Sequence, residues 1–536
     1  MAIKVIFIPG WLINFYKVVF MLKKYILDKW IIILVFSVLL ASCGGGGGGS
    51  PASPPIISGV AGDGQIQINF TALNGVYYWL WYTQSSQPFD INNPPNVPQQ
   101  GFTTLLPPYT IGNLTDGLPS SVVVNAHAGN PNGPGGPQSN NLILTPRLAG
   151  YSWSSCTTNC PNQVMNAVTF GDALVATSNT SLIHVYVGVG NNASIFTSAD
   201  GLNWTPQPTS ATQACNLGNN TLYGADYNNG TFNVVGANGT ICFNSQSVGN
   251  NLYNGLTDVL DSNGNWAPQN AIWSPATTKP TSVNNQTLYA VAADQQLYNS
   301  LQTNNVIVGS NGTLLYSADG ANWYGVTSGT TQNLYALNFV GNCGLLTYGY
   351  QWIVVGANGT ILRSTDASGA TSWTQSSVNI PTQNNLRGVA CSPNTSPYYI
   401  QSGAVFPPVG YTPLVVAVGD NGTILTSSDG TTWTKQTSAA VGTDNLTSVY
   451  AFNRNLELRN NNTQFVATGA SGNVYTSIDG VNWTANSTGA STLNAVTTAQ
   501  GTSIPNGDFG YVPYIYVAVG ASGQGVNATG FAVTSQ

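Results

Sequence analysis

Five aspartates recur in one short motif and are the first residues to consider for chemistry. Each stands between a serine and a tryptophan. The segments are SADGLNW (198–204), SADGANW (317–323), STDASGATSW (364–373), SSDGTTW (427–433) and SIDGVNW (477–483), with DSNGNW (261–266) as a degenerate copy. Repeated carboxylates could bind metal ions, but an aspartate can also accept backbone N–H bonds within its own turn. Because every copy has the same local context, we predict turn bonding for Asp200, Asp319, Asp366, Asp429 and Asp479.

The remaining titratable residues give little support for a catalytic or metal site. The chain has two histidines, His127 and His184, in separate parts of the sequence. Lone histidines support neither a Ser-His-Asp triad nor a zinc site. We expect His127 to be an exposed strand residue and His184 to be structural. No metal and no cofactor are predicted.

The composition indicates a folded, exported β-protein. Only 6% of the 536 residues are charged, 42% are hydrophobic, and 60 are glycine. The hydrophobic content argues against disorder, and short apolar runs separated by turn residues indicate an all-β chain. Seven of the twelve basic residues and seventeen of the eighteen acidic residues follow Cys43. An acidic chain of this kind is not expected to bind nucleic acid.

The N-terminus has the anatomy of a secretory signal. MLKKYILDKWIIILVFSVLLASC (21–43) has a basic start, an apolar core from Ile31 to Leu40, and small residues at its end. A spanning helix would need about 20 apolar residues, roughly twice the length of this core. Leu40-Ala41-Ser42-Cys43 resembles the bacterial lipoprotein signal, which implies lipidation of Cys43. Residues 1–43 are therefore the predicted signal peptide, with Met21 as the alternative start.

A tether and a small domain follow the signal. Residues 44–54 are rich in glycine, serine and proline and predict a flexible tether. Gly44 differs from the aspartate of an inner-membrane retention signal, so we predict an outer-membrane anchor that faces the cell surface, with the periplasmic face as the alternative. Residues 55–146 resemble a fibronectin type III domain in the stretch YTIGNLTDGLPSSVVVNAHAG (109–129), although Ser120 stands where that family usually has tyrosine. The resemblance implies a β-sandwich.

Three patterns repeat through residues 149–536. The first, Leu/Met-x-small-apolar, starts at Met165, Leu222, Leu288, Leu334, Leu386, Leu446 and Leu493. The second is a β-branched run that ends in glycine, at Gly190, Gly236, Gly309, Gly356, Gly419, Gly469 and Gly520. Four of these runs lead into Asn-Gly, which favours a tight hairpin turn. The third pattern is the aspartate motif.

The repeats predict a seven-bladed β-propeller. The aspartate motifs resemble Asp-boxes, the bacterial neuraminidase repeat, and VGANGTILRSTD (355–366) is similar to photosystem II assembly factor-like propellers. The resemblance implies one four-stranded blade per copy, with tryptophans packed between blades: Trp204, Trp323, Trp373, Trp433 and Trp483. The last blade lacks a closing tryptophan, so we predict that an N-terminal strand near Trp153 completes it and closes the ring.

The resemblance to sialidases does not extend to their catalytic residues. Those enzymes use three arginines, a tyrosine paired with a glutamate, and an acidic aspartate. Here Glu457 is the single glutamate of the chain, and the four arginines of the repeat region are Arg363, Arg387, Arg454 and Arg459. We therefore predict that the chain is not an enzyme. A glycan hydrolase or lyase with an unrecognised site is the first alternative.

The long connections between first and second strands predict the binding face. They include 340–352, 391–413, 452–463 and 499–513, and insertions gathered on one face of a propeller usually mark its binding face. Exposed aromatic rings suit glycan stacking or protein contacts, although some of them could instead support their own loops. The candidate ligand-binding residues are Tyr348, Tyr350, Trp352, Tyr398, Tyr399, Phe406, Tyr411, Phe509 and Tyr511.

Six cysteines follow the signal, and export favours disulfides. Cys156–Cys160 is the best candidate pair. Cys343 and Cys391 follow equivalent strands of adjacent repeats, so a disulfide between them is reasonable. Cys215 and Cys242 then remain as the third pair. Six cysteines allow fifteen connectivities in all.

These features together predict a lipid-anchored envelope protein. Its propeller would bind an extracellular or periplasmic glycan or protein, and its lipid would be its sole contact with the membrane. An assembly or scaffold factor for envelope proteins is the second alternative.

Overall fold

A computed structural model describes most of the chain from residue 55 onward. The described residues are 55–62, 64–74, 76–92, 100–102, 107–112, 114–128, 135–147, 153–156, 160–174, 182–198, 201–207, 215, 218–228, 231–244, 258–260, 266–268, 273–294, 304–340, 343, 352–366, 370–371, 373–375, 380–392, 413–453, 463–500, 514–522 and 529–535. The chain divides into two compact units, with 62–65 and 147–536 in the second. The predicted signal peptide, Cys43 and the tether lie outside the described residues.

The first unit, with Gly62 and Gln65 of its first two strands counted in the second, is formed by two sheets around an apolar core. Its strands are β1 (Ser58–Gly62), β2 (Gln65–Asn69), β3 (Val76–Thr83), β4 (Gln100–Phe102), β5 (Tyr109–Ile111), β6 (Ser120–Ala128), β7 (Gly135–Gln138) and β8 (Leu142–Leu144). One sheet has the order β1–β2–β5 and the other β4–β3–β6–β7, with β8 also pairing with β6. Alternate residues of facing strands, such as Ile66, Ile68, Leu80 and Val124, pack together in the core, as the period-two pattern requires.

His127 corrects one expectation in this unit. The sequence predicts an exposed residue, but His127 lies on β6 and is buried, with 8% of its surface exposed. Its ring lies 5.6 Å from that of Trp79, and Trp79 in turn stacks on Trp81 at 5.5 Å. An aromatic stack on the second face of this sheet therefore covers a position that the alternation of β6 predicts to be outside.

The second unit consists mainly of four-stranded antiparallel sheets. The first three sheets contain β10 (Met165–Leu174), β11 (Leu182–Gly190), β12 (Ile195–Ser198) and β13 (Thr205–Pro206); β14 (Leu222–Asn228), β15 (Thr231–Gly236), β16 (Ile241–Asn244) and β19 (Ser274–Pro275); and β20 (Leu288–Ala293), β21 (Asn305–Gly309), β22 (Leu314–Ser317) and β23 (Tyr324–Gly325). A separate hairpin contains β17 (Asp258–Leu260) and β18 (Trp266–Pro268).

The remaining sheets follow the same order of strands. They contain β24 (Leu334–Phe339), β25 (Trp352–Gly356), β26 (Ile361–Ser364) and β27 (Trp373–Gln375); β28 (Leu386–Cys391), β29 (Val415–Gly419), β30 (Thr423–Ser427) and β31 (Thr434–Gln436); β32 (Leu446–Asn453), β33 (Thr463–Gly469), β34 (Asn473–Ser477) and β35 (Thr484–Ser487); and β36 (Thr492–Gln500), β37 (Tyr514–Ser522), β38 (Thr529–Ser535) and β9 (Ser154–Ser155).

The first strands of successive sheets contact one another around a closed circuit. The contacts run β10–β14–β20–β24–β28–β32–β36 and return from β36 to β10. The early strand β9 pairs with β38, with Ser155 opposite Val533 and Ser154 opposite Thr534. The prediction of an all-β chain built from four-stranded antiparallel sheets is confirmed, and the arrangement is consistent with a β-propeller.

The second and third strands are joined by tight turns. In four sheets an asparagine with positive φ precedes a glycine with positive φ; Asn311 (φ 53°) and Gly312 (φ 69°) are one such pair. Three of these turns are short 3₁₀ segments, Ala237–Gly239, Ser310–Gly312 and Ala357–Gly359, and another 3₁₀ segment is Thr281–Val283. The positive φ angles explain why the sequence has Asn-Gly at these positions.

The aspartate motifs form turns between third and fourth strands. Asp319 Oδ1 accepts the backbone N–H groups of Ala321 (2.9 Å) and Asn322 (2.7 Å). Burial opposes ionisation, but these bonds and that from the Asn322 side chain outweigh it and lower the pKa of Asp319. Trp323 is buried and donates from Nε1 to the Gly320 carbonyl (3.0 Å). Asp429 and Asp479 make equivalent turns.

The degenerate copy of the motif is not at the position that the sequence suggests. Trp266, the last residue of DSNGNW (261–266), lies on β18 of the separate hairpin, whereas the fourth strand of the second sheet, β19, follows Trp273. Trp273 is 2% exposed and packs with Phe232 and Val234 of the same sheet. The inserted hairpin moves the closing tryptophan seven positions along the chain.

All three predicted disulfides are formed. Cys156 bonds to Cys160, Cys215 to Cys242 and Cys343 to Cys391, with Cα–Cα distances of 5.6, 5.9 and 6.1 Å. The third pair links the sheet that starts with β24 to the next sheet along the chain. Among the described residues, no helix is long and apolar enough to cross a bilayer.

Candidate functional site

A β-bulge occurs at the same place in the first strand of seven sheets. In each case the register with the second strand shifts around one residue, which follows the repeated Leu or Met. A bulge inserts an extra residue and re-aims its side chain. We call these residues the axial ring: Asn166, Tyr223, Tyr289, Tyr335, Arg387, Thr447 and Asn494.

The axial ring lies on the tight-turn face of the second unit. The residue before each bulge pairs with the glycine that ends the second strand, as Leu222 does with Gly236. That glycine leads directly into the tight turn. Because the first strands contact one another in a circuit, the bulged residues gather around a common axis at this face. All of them are half-buried.

In one half of the ring, the side chains donate hydrogen bonds to backbone carbonyls of neighbouring strands. Asn166 Nδ2 donates to the Leu222 carbonyl (2.9 Å), Thr447 Oγ1 to the Leu493 carbonyl (2.7 Å) and Asn494 Nδ2 to the Met165 carbonyl (2.8 Å). Each bond joins one first strand to the next. These polar side chains stabilise the circuit of sheets and have less capacity left for a ligand.

The other half of the ring consists of three tyrosines and an arginine. The Tyr223 and Tyr289 rings are 5.8 Å apart, those of Tyr289 and Tyr335 are 5.1 Å apart, and both pairs meet edge to face. The Arg387 guanidinium lies 5.2 Å above the centre of the Tyr335 ring. Partial burial raises the pKa of Tyr289, so this phenol is neutral at physiological pH. These four residues form a continuous crescent, which we call the tyrosine crescent.

An ion pair holds the basic end of the tyrosine crescent. Asp420 accepts two bonds from Arg387, one of them from Nη2 to Oδ2 (3.1 Å), and Asn385 Nδ2 donates to the same oxygen (2.8 Å). The bonds to Asp420 raise the pKa of Arg387, and although burial opposes ionisation they lower the pKa of Asp420. The positive charge of the crescent is thus fixed in place and locally balanced.

Two ionisable groups lie further along the axis. Asp226 follows Tyr223 by three residues on β14, about 10 Å along a strand. Burial raises the pKa of Asp226 to about 7, although the N–H groups of Tyr227 and Ala293 donate to it. Burial raises the pKa of Tyr450 to about 12, with a further rise from Asp226. Because β14 and β32 belong to different sheets of the circuit, the electrostatic effect of Asp226 on Tyr450 indicates that both side chains lie toward the axis.

Amide side chains surround the ring on the tight-turn face. Asn238 donates to Asn220 (2.9 Å), Asn311 to Gln286 (3.0 Å) and Asn358 to Gln332 (2.9 Å). In each case the bond links side chains close to a tight turn. The surface around the ring is therefore rich in amides, and its described charged groups include Asp420, Asp444 and Lys279, whose Nζ donates to the Gly239 carbonyl.

The structure places one predicted ligand-binding residue in the core. Trp352 begins β25, is 0% exposed, and packs edge to face against Phe339 with ring centres 5.0 Å apart. Because it lies on the buried face of a strand rather than in the loop, its ring cannot meet a ligand. The other predicted binding residues lie outside the described residues: Tyr348, Tyr350, Tyr398, Tyr399, Phe406, Tyr411, Phe509 and Tyr511.

The predicted structural residues are placed as follows. Asp200 is outside the described residues, and Asp366 accepts the backbone N–H and the hydroxyl of Thr371 (2.9 and 2.8 Å). Trp204 and Trp483 donate to the carbonyls of Gly201 and Gly480 (2.9 and 3.1 Å). The remaining tryptophans differ in burial: Trp433 is buried, and Trp373 is partly buried.

The axial ring is the site that the sequence patterns do not identify. Its residues occupy the x of Leu-x-small-apolar, and their types differ from repeat to repeat while the flanking positions stay alike. That variation can indicate a binding position, because a residue type that the fold does not require can instead be selected to contact a ligand. Within the described residues, no three His, Cys, Asp or Glu side chains form a metal-binding group.

Comparisons with known proteins give similar structures at low identity. No protein-family model matches the sequence, and neither does any curated protein. The structure of YCF48 bound to D1 peptide has a TM-score of 0.44 and 11% identity, covering 72% of this chain and 94% of that one. Sqt1 of Saccharomyces cerevisiae has a TM-score of 0.42 and 8% identity over 71% and 99%. BBS1N in complex with ARL6DN has a TM-score of 0.39 and 10% identity over 72% and 96%. At these values the similarities carry no inference about function.

Proposed function

We propose that this chain is a non-catalytic binding protein of the bacterial cell envelope. In this proposal Cys43 carries the lipid, the outer membrane is the destination, and the cell surface is the exposed side. Residues 55–146 are a fibronectin type III-like spacer, and the second unit is a seven-bladed Asp-box propeller closed by β9. The ligand is a protein or a glycan.

The tyrosine crescent is the observation that carries the proposal. Three half-buried tyrosines and an arginine contact one another in the axial ring, and aromatic and arginine side chains dominate binding energy at protein interfaces. None of the three tyrosine hydroxyls makes a hydrogen bond within the described residues. Groups of this kind are typical of binding surfaces.

The proposal places the binding surface on the tight-turn face. The first strands lead into their long connections at the end opposite the tight turns, and the aromatic residues of those connections stay a prediction. The two faces can be distinguished because they share none of their candidate residues.

The test of this function is a binding screen with ring variants. Full-length protein, purified from membranes in mild detergent, would be applied to glycan and peptide arrays beside a Tyr223→Ala/Tyr289→Ala/Tyr335→Ala variant. We expect selective binding that the triple variant loses by at least about tenfold. Tyr324→Ala is the matched control, because Tyr324 is 59% exposed on the outer strand β23.

A selective ligand whose binding survives in the triple variant would contradict the ring as the site. Lipidation is tested separately, by incorporation of labelled palmitate, which we expect Cys43→Ala to abolish.

A further inference from the structure

The two halves of the axial ring differ in their hydrogen bonds to the backbone carbonyls of neighbouring sheets. In the polar half, each ring side chain donates to the carbonyl of the repeated Leu or Met in the next sheet, as Asn166 does to Leu222. In the tyrosine crescent, no described side chain donates to the equivalent carbonyls, which belong to Leu288, Leu334, Leu386 and Leu446. A ligand that supplies hydrogen-bond donors would replace the missing bonds.

The faces of the tyrosines favour a positively charged donor. Aromatic faces attract ammonium and guanidinium groups within about 6 Å of the ring centre. Arg387 is an internal example, with its guanidinium 5.2 Å above Tyr335. Because Asp420 balances the charge of Arg387, the remaining tyrosines, Tyr223 and Tyr289, can accept a second cation without strong repulsion.

A carboxyl group lies behind these tyrosines. Asp226 is on the same strand as Tyr223, and the residue as a whole is half-buried. The backbone N–H groups of Tyr227 and Ala293 donate to it, the latter at 2.8 Å, and among the described residues no basic side chain pairs with it. Seventeen acidic and seven basic residues follow Cys43, so the whole exported chain attracts positive charge.

We propose that the tyrosine crescent binds a lysine or arginine side chain of an extended peptide segment in a protein partner, between Tyr223, Tyr289 and Asp226. The basic group would stack on the tyrosines and donate to these carbonyls, and the Asp226 carboxylate further along the axis would attract it electrostatically. The peptide backbone would lie across the surrounding amides. This inference rests on the proposed binding function and names its ligand class.

Fluorescence anisotropy with defined peptides tests this inference. The probes are labelled Gly-Ser peptides with two central lysines or arginines, the same peptides with two glutamates, and a neutral labelled oligosaccharide. The protein is the full chain in detergent at pH 8, where Asp226 is ionised. We expect the basic peptides to bind at least about tenfold more tightly than the acidic ones.

Two variants assign the effect to the site. Asp226→Asn and Tyr289→Ala should each weaken basic-peptide binding by about five- to tenfold. Asp90→Asn removes the same charge from an exposed position in the first unit and should leave binding unchanged. A melting curve for each variant separates loss of binding from loss of folding.

The outcomes separate this inference from the function on which it rests. Equal binding of basic and acidic peptides, or unchanged binding in Asp226→Asn, would overturn the inference. If the oligosaccharide or an acidic peptide binds instead and the triple tyrosine variant abolishes that binding, the ring remains a binding site and the basic-peptide class is wrong. If no probe binds to the wild type, the basic-peptide inference is rejected, and the array screen decides whether the ring binds anything else.

Discussion

At the scale of single residues, one inserted residue per sheet creates the candidate site. A regular first strand would direct its side chains toward the neighbouring sheets, where they would be buried. The bulge after Leu222 places Tyr223 at the axis instead, and the same shift acts on Arg387. The chemistry of the ring is thus set by residues that contribute little to the apolar core.

Asp226 provides a residue-scale prediction on stability. Its pKa in the folded chain is about 7 against an ordinary value of 3.8. Between these values the folded chain retains a proton that the unfolded chain has lost, so the free energy of unfolding falls as pH rises through this window. We therefore expect Asp226→Asn to raise the free energy of unfolding by about 2 kcal/mol at pH 8 and to change it little at pH 4.

Denaturant titration at the two pH values measures this effect. Asn keeps an oxygen that can accept the Ala293 N–H, which makes it a conservative replacement. A variant that is equally destabilised at both pH values would show that the carboxylate is not buried as described.

At the scale of elements, the tight turns are the most strictly specified part of each sheet. A Cβ on Gly312 (φ +69°) would lie 1.9 Å from the Thr330 carbonyl oxygen, whereas one on Gly329 (φ +75°) would meet no atom within 4 Å. The two glycines share a left-handed conformation and differ in the space around them. They form a matched pair for testing the turn.

We expect Gly329→Ala to lower the free energy of unfolding by about 1 kcal/mol, through φ alone. Gly312→Ala should lower it by about 3 kcal/mol or more, because the added methyl group also displaces the backbone of the next turn. Thermal melting of both variants checks the difference. Equal melting temperatures would mean that close packing around Gly312 adds nothing to the effect of its conformation.

The sequence predicts these elements well because each follows a local rule. Positive φ angles select Asn-Gly, and the buried face of each second strand selects a β-branched run. The bulge is different, since it arises from how two strands pair and leaves no residue type of its own. Trp352 shows the same limit, because its exposure depends on whether it ends the loop or begins the strand.

The closing tryptophan of the second sheet could not be read from spacing. DSNGNW retains the motif but ends at Trp266, which lies on β18 of the inserted hairpin, while Trp273 has no motif before it. Only the pairing of β19 with β16 identifies Trp273 as its structural equivalent. The departure of DSNGNW from the motif therefore accompanies a shift of the closing tryptophan to Trp273.

At the scale of the whole molecule, the circuit of sheets is completed by residues distant in sequence. β9 pairs with β38, and Trp153 packs against the cluster that contains Phe452 and Tyr516. The second unit should therefore unfold as one cooperative body. An open circuit would expose the edge of the last sheet.

Trp153→Ala tests the closure. We expect it to lower the free energy of unfolding of the second unit by about 2 kcal/mol, because the cavity lies at the junction of the circuit. Tyr324→Ala, an exposed aromatic on an outer strand, should have little effect. Limited proteolysis should first release the C-terminal strands from the Trp153 variant. Unchanged stability and unchanged cleavage would indicate that the circuit holds together without β9.

Site-specific photo-crosslinking in growing cells tests the location of the binding surface most directly. A photoreactive phenylalanine analogue would replace Tyr289 on the tight-turn face, Tyr398 of the 391–413 connection, or Tyr324 on an outer strand. The tyrosine crescent predicts a discrete crosslinked partner from position 289 and none from position 324. A partner captured from position 398, with none from 289, would contradict the axial ring and place the binding surface on the long loops.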